Sequence, residues 1–193
     1  ADPEQAAKFV SAAAQGYEQQ RMMYALKHFP GIGRGTVDSH QDISTIGASR
    51  EELAKRDLVP FKAIIDERQP EDYFILVSHL RYPAYDAENP ASLSKAIQTD
   101  LLRHELGYRG LIITDDTEMG ALAKHYGFRE IGVRAVTAGA DIVMVCHEYE
   151  HETDVYLGLL DAVKDGTIPE ERINESVRRI VKAKLLHVQA EQP

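Results

Sequence analysis

Lys27-His28-Phe29-Pro30-Gly31-Ile32-Gly33-Arg34-Gly35-Thr36-Val37-Asp38-Ser39-His40 is the stretch on which the reading of the fold turns. Immediately ahead of it, Met22-Met23-Tyr24-Ala25-Leu26 is a short apolar run of the kind that forms a buried strand. One proline and three glycines fall within the seven residues after Phe29, so the backbone is expected to turn into a pliable loop. The loop then presents Asp38 and His40, two residues apart. A cation and an imidazole at the end of a buried strand, followed by a glycine-hinged Asp-x-His, form a layout suited to chemistry. Spacing alone leaves open the plainer reading, a glycine-rich turn with incidental polar residues.

Outward from this stretch the chain alternates helices and strands. Residues 3–20 carry Ala6, Phe9, Val10, Ala13 and Tyr17 at helical spacing, with Asp2 placed to cap and Pro3 in the first turn. Glu51 to Glu67 reads as a helix with Leu53, Leu58, Phe61, Ile64 and Ile65 inward, kinked or restarted at Pro60. Tyr73 to Val77 is a second strand, ending in Ser78-His79. An amphipathic helix over 92–106, through Leu93, Ile97, Leu101 and Leu102, leads to a third strand from Leu111 to Thr114. A short helix over 129–138 precedes a fourth strand from Asp141 to Cys146. Two helices, about 153–165 and 169–188, end the chain, the last with Ile173, Val177, Ile180, Val181, Leu185 and Val188 on one face.

These four short apolar strands, each followed by helix, predict an α/β fold with a parallel sheet covered by helices. Polar residues gather just past the strand ends: Lys27 and His28, then His79, then Asp115 and Asp116, then His147. Two architectures share this pattern. One is a (β/α)8 barrel, whose active site lies at that end of its strands and which needs about 250 residues. The 193-residue chain then forms about its second half, four β/α units in a single domain over residues 1–193. The other is a small open doubly wound parallel sheet.

The formal net charge of −9 argues against nucleic-acid or membrane-surface partners, which attract basic patches. A single cysteine, Cys146, excludes an internal disulfide and is expected to be a buried thiol at the end of the fourth strand. No apolar run reaches the roughly 20 residues that span a bilayer. The opening Ala1-Asp2-Pro3 shows neither a signal peptide nor an initiating Met, so a preceding segment is expected to have been removed or to lie on another chain. The expected location is cytoplasmic, with an extracytoplasmic one as the alternative.

Two blocks carry a resemblance. Lys27-His28-Phe29-Pro30-Gly31-x-Gly33 with the later Asp38-Ser39-His40 is similar to the signature of the family 3 glycoside hydrolases, in particular their β-N-acetylglucosaminidase branch. Gly107 to Ala121, containing Ile113-Thr114-Asp115-Asp116-Thr117-Glu118-Met119-Gly120, resembles the segment that holds the family's nucleophile. The resemblance runs over nearly the whole chain but only the C-terminal part of the family's catalytic barrel, and it favours the half barrel over the open sheet. The missing N-terminal half must then come from an upstream segment or another chain, because a half barrel leaves two sheet edges unpaired.

The resemblance implies retaining hydrolysis through a covalent glycosyl-enzyme, with no metal or organic cofactor. It makes Asp115 the nucleophile, with Asp116 on the other side of the strand and better placed to cap the next turn. It assigns acid and base work to His40 held by Asp38, where most retaining glycosidases use a second carboxyl group. Lys27 and His28 are its substrate-binding residues; His79, which follows the second strand, is expected to join them, although for His79, Arg81 and Tyr82 the residues themselves leave packing and sugar contact equally open. Ile32 stands where the family commonly has His, and the acidic and Arg residues of its earlier strands have no counterpart.

The implied function is exo-acting release of terminal N-acetylglucosamine from muropeptides or chitooligosaccharides, a carbohydrate substrate. A phosphorylase of the same family and a non-catalytic half-barrel fragment are the alternatives. His147-Glu148-Tyr149-Glu150-His151 also matches the H-E-x-x-H zinc-peptidase pattern. No helical run precedes His147, however, and the pattern requires both histidines one turn apart on a helix.

Overall fold

The structure, a computed structural model, describes residues 2–35 and 41–187. Its element order is α1 (Pro3–Gln19), β1 (Tyr24–Phe29), α2 (Arg50–Glu52), α3 (Val59–Glu67), β2 (Tyr73–Val77), β3 (Arg81–Tyr82), β4 (Asp86–Pro90), β5 (Leu111–Asp116), α4 (Gly120–Ala123), α5 (Phe128–Ala138), β6 (Ile142–Met144), α6 (Tyr149–Lys164) and α7 (Glu170–His187). Asp2 caps α1 by accepting the Glu4 and Gln5 amides, with Pro3 in the first turn as the sequence indicated. A capping box joins Ser49 and Glu52 at the start of α2, which runs into a π-helical turn over Leu53–Asp57. Pro60 is then accommodated in the first turn of α3, where its missing N–H costs nothing.

β1, β2, β5 and β6 form one parallel sheet in that order, while β3 and β4 make a separate short hairpin. This order decides between the two architectures. A doubly wound sheet reverses its strand order at a switch point; here each strand of the sheet is laid beside the one before it. Right-handed crossovers then place every connecting helix on the same side, as in a barrel wall. The open doubly wound sheet is thereby excluded. β1 and β6 are the edges, each hydrogen-bonded on one side only among the described residues.

The helix-covered side is densely filled. Tyr24, Leu26, Tyr73, Ile75, Val77 and Ile112 are buried there. A file of aromatic rings, Tyr17, Tyr24, Tyr73 and Tyr108, crosses it with successive centroids 5.7, 5.5 and 5.4 Å apart. Gly110 is required beside this file, because a Cβ there would lie 2.2 Å from the Pro70 carbonyl oxygen. Within the sheet, alternation places Ala25, Lys27, Leu76 and Ile113 on the opposite side. Ala25 and Lys27 are exposed on it.

Three expectations are corrected. α1 docks on α3 through Ala7 and Ala14, whose small side chains permit close approach, and Phe9 and Tyr17 stay exposed. β6 is only three residues long and Cys146 is exposed: Asp141 is drawn into an arginine cluster before it, and the Cys146 amide leaves the sheet to donate to Glu118. On α7 the expected apolar face is inward only in part: Ile173 packs against the Val136–Ala162–Ile168 cluster and Ile180 is half-buried, whereas Val177, Val181 and Leu185 are exposed. Val188, which the same expectation included, lies outside the described residues.

Polar chemistry explains the rotation of α7. Arg172, Ser176 and Arg179 share one helix face, and that face meets Asp141, whose side chain is fully buried. Asp141 accepts from Ser176 Oγ and Arg179 Nη1 at 2.7 and 2.8 Å, and from Arg103 Nη2 and the Ile112 amide on its other oxygen. Removing that carboxylate strands three guanidinium groups, so Asp141→Ala is expected to lower unfolding free energy by about 3 kcal/mol. Urea denaturation checks this, and a loss below about 1 kcal/mol would contradict the role given to Asp141.

Candidate active site

Asp115 lies at the C-terminal end of β5. Ile112 and Thr114 are fully buried against the helices, so alternation turns Ile113 and Asp115 to the side the helices leave open. Asp115 Oδ1 accepts the Asp116 amide at 3.0 Å, and Oδ2 lies 3.6 Å from His28 Nε2. His28 stands on β1, two strands away, and the carboxylate and imidazole meet across the end of β2. Lys27 is exposed beside it. The Lys27–His28 and Phe29–Pro30 peptides are both cis.

His79 does not face a ligand. It is 1% exposed, with Nδ1 2.7 Å from Ser92 Oγ and Nε2 2.8 Å from the Asp116 carbonyl oxygen. A carbonyl only accepts, so Nε2 carries the proton and Nδ1 accepts from the Ser92 hydroxyl. Burial pushes the imidazole pKa below its ordinary value, outweighing the nearby Asp116 carbonyl and the Asp115 and Asp116 charges, and the ring is neutral. The expected sugar contact is therefore corrected: both ring nitrogens are spent on holding the end of β5. Tyr82 is likewise a packing residue, fully buried, its hydroxyl donating to the Gly31 carbonyl at 3.0 Å.

Asp38 and His40 lie outside the described residues, but both flanks of their segment are fastened. On the near side Gly31 adopts φ +126°, which suits glycine, and Arg34 Nε donates to Asp57 Oδ2 at 3.2 Å. On the far side the Gln41 carbonyl accepts from Lys124 Nζ at 2.6 Å, and Asp42 Oδ1 lies 2.8 Å from His125 Nε2. The His125 bond, with the Ile43 amide, holds the Asp42 carboxyl below the usual carboxylate range. Lys124 and His125 directly follow α4, the helix after β5. The residue adjoining His40 is thus tied to the segment that begins at Asp115.

Asp116 turns away from Asp115, as alternation requires. Its Oδ1 accepts the Glu118 amide at 3.1 Å, an Asx turn, and its Oδ2 lies 3.1 Å from His147 Nε2. Glu118 was not singled out from the sequence, yet it organises this corner. Its carboxylate accepts the consecutive amides of Cys146, His147 and Glu148, and the His151 ring nitrogen at 2.7 Å. No local pattern signals this, since its partners lie about thirty residues away. The H-E-x-x-H match dissolves in the same geometry: His147 precedes α6, His151 lies in its first turn stacked on Phe128, and the two rings bond different carboxylates.

Asp116, Glu118 and His147 each bring one ligand atom within 4.8 Å of the others, a spacing that could surround a cation. Both Glu118 oxygens already accept two hydrogen bonds, which a metal would have to displace.

A carboxylate at a parallel strand end, facing the open side of a sequentially ordered sheet, is the arrangement of a barrel mouth. Over residues 1–183 the sequence matches the family described as "Glycosyl hydrolase family 3 N terminal domain". The chain belongs to glycosyl hydrolase family 3. It is 31% identical over 200 residues to Beta-hexosaminidase A of Pseudoalteromonas piscicida, an alignment covering 95% of this chain and 33% of that protein. Beta-hexosaminidase LpqI of Mycobacterium tuberculosis is 33% identical over 189 residues, covering 95% of this chain and 47% of that one. A family 3 β-N-acetylglucosaminidase structure from Paenibacillus sp. str. FPU-7 superposes with a TM-score of 0.88 at 37% identity, covering 94% of this chain and 35% of that chain. The family's domain is a TIM-barrel-like α/β fold, and the four β/α units described above are about half of such a barrel. The chain spans between a third and a half of the length of these relatives.

Glu118 generates a pH prediction. Burial would raise its pKa, but the His151 bond and the three amides outweigh this and hold it at about 2, against an ordinary 4.5. A carboxyl depressed in the fold contributes stability that is complete above its unfolded pKa and is lost as pH falls toward the folded one. The difference in thermal midpoint between wild type and Glu118→Gln should therefore be flat above about pH 4.5 and shrink as pH falls toward about 2. A difference that does not vary with pH would contradict the assignment.

Proposed function

We propose that the protein carrying this chain is a retaining, exo-acting β-N-acetylglucosaminidase that removes terminal N-acetylglucosamine from muropeptides or chitooligosaccharides. The observation that carries this reading is the anchoring of Gln41, the residue after His40 in sequence, to Lys124 in the segment that begins at Asp115. A retaining mechanism needs two groups, and this reading takes one from the end of β5 and the other from the sequence just ahead of that anchor.

In the first step the Asp115 carboxylate attacks the anomeric carbon while the His40 imidazolium donates its proton to the departing glycosidic oxygen. The bond to the leaving sugar breaks as the ester to Asp115 forms. In the second, neutral His40 takes a proton from water, the resulting hydroxide displaces Asp115, and free sugar departs. Asp38, bonded to the other ring nitrogen, would fix the tautomer and raise the basicity of the working one. Lys27 and His28 would bind hydroxyls of the cleaved residue. His79 contributes through position alone, by holding the Asp115–Asp116 end of β5.

The remaining barrel strands are proposed to come from the same polypeptide, upstream, or from another chain. Two features support such a complement: β1 and β6 each have an unused pairing edge among the described residues, and Tyr17, stacked on Tyr24 of β1, and Met22, just ahead of that strand, are exposed.

In the full-length protein Asp115→Ala should lose at least ~10³ of kcat/KM on an aryl N-acetylglucosaminide. Near-normal turnover would reject Asp115. His40→Ala should impair natural oligosaccharides far more than aryl substrates with good leaving groups, which need little protonation; equal losses would remove the acid role. In phosphate buffer the product should be free sugar, and sugar 1-phosphate would mark a phosphorylase instead.

A further inference from the structure

At the opposite end of the strands from Asp115, the structure has a cleft that the glycosidase reading does not use. It lies between the π-helical stretch Ala96–Glu105, the turn that leads into β5, and α7. Its open volume is about 620 Å³. Lys95, Arg103, Arg109, Arg172 and Arg179 line it, with Glu175 as the one lining carboxylate. Five cations in one concavity are out of keeping with a chain whose formal net charge is −9.

The buried Asp141 does not cancel this charge, because one carboxylate serves three guanidiniums, those of Arg103, Arg172 and Arg179. Arg103 and Arg172 are both held below the usual arginine pKa, first by burial and then by repulsion from Arg179, only partly offset by Asp141. Arg172 spends its donors inward, on the Val136 and Ala140 carbonyls and Ser176. Arg179 turns one nitrogen to Asp141 and has Glu175 3.9 Å from another. Arg109 and Lys95 are exposed and make no hydrogen bond or ion pair among the described residues. The cleft therefore has a fixed cationic floor and two uncommitted cations at its rim.

We propose that this cleft binds a small phosphorylated molecule, with Arg109, Arg179 and Lys95 as the groups that hold its phosphate. Guanidinium forks match the tetrahedral oxygens of a phosphate dianion, and lysine adds a point charge. The volume falls in the range of small-molecule sites, about 300–1,000 Å³, which favours a metabolite-sized ligand over a polymer. The site is independent of the catalytic proposal: Arg109 precedes Asp115 by six residues of mostly extended chain, roughly 20 Å at about 3.3 Å per residue. Its β5 side lies away from the sheet edges, since β5 is hydrogen-bonded to β2 on one side and β6 on the other.

The test is isothermal titration calorimetry and thermal unfolding of the full-length protein with inorganic phosphate, pyrophosphate or a hexose 6-phosphate, at constant ionic strength set by NaCl. Wild type should show saturable heat and a rising thermal midpoint with at least one of the three, because a ligand of the folded state stabilises it. The double variant Arg109→Glu/Lys95→Glu should bind at least ten-fold more weakly while unfolding at the wild-type midpoint in NaCl alone, since neither side chain makes a hydrogen bond or ion pair among the described residues. A response to inorganic phosphate identifies the free ion as sufficient; a response confined to the hexose 6-phosphate identifies an organic phosphate. No saturable response to any probe, or an equal response in the double variant, overturns the proposal.

Discussion

The three residues Val77-Ser78-His79, where β2 ends, hold the candidate active site together. The Ser78 amide donates to the Phe29 carbonyl at the end of β1, and the His79 ring donates to the Asp116 carbonyl at the end of β5. Both flanking strands are thus pinned to the same turn, and that is why His28 and Asp115 face each other over a strand that separates them. A buried ring can do this only while neutral and doubly bonded, because an unmet nitrogen at that depth would carry its full desolvation penalty. The Ser92 hydroxyl supplies the second partner.

Around that clamp, the two ends of the sheet carry opposite charge. Asp115, Asp116 and Glu118 cluster where the strands end; Arg103, Arg109, Arg172 and Arg179 cluster where β5 and β6 begin. At the acidic end most of the charge is absorbed in fixing backbone: Glu118 gathers the loop after β6, and Asp116 shapes the turn after β5. Among the described residues, Asp115 is the carboxylate there that takes from the backbone only its neighbour's amide. At the basic end Asp141 does the fixing, and the excess positive charge stays at the surface. Each end thus has a structural carboxylate and a remainder turned to solvent.

Much of this was legible in the sequence because it rests on local signals. The apolar runs at 22–26, 73–77 and 111–114, the Asp2–Pro3 helix start and the restart at Pro60 are short-range patterns, and the structure has a strand at each run, the first shifted to Tyr24–Phe29. What the sequence left open was decided by partners distant in the chain. The choice between barrel and open sheet depended on strand order, which no local pattern encodes. The α7 face was misjudged at Val177, Val181 and Leu185 because a buried carboxylate at Asp141 outweighed an apolar stripe. The hairpin Arg81–Pro90 has no alternating pattern, being held by Asp86, whose carboxylate accepts from Asn89 and Ser94. His79 read as a ligand contact because a histidine at a strand end looks the same whether it faces a mouth or a core.

Asp115, and not its neighbour, is proposed to be the group that becomes covalently bonded to the sugar. Mass spectrometry of a proteolytic digest, after the full-length protein is incubated with a fluorinated N-acetylglucosaminyl fluoride that slows release from the enzyme, tests it most directly. The account predicts one glycosyl adduct, located by fragmentation on Asp115 within Leu111–Asp116. An adduct on Asp116, or turnover with no adduct at either aspartate, would contradict it.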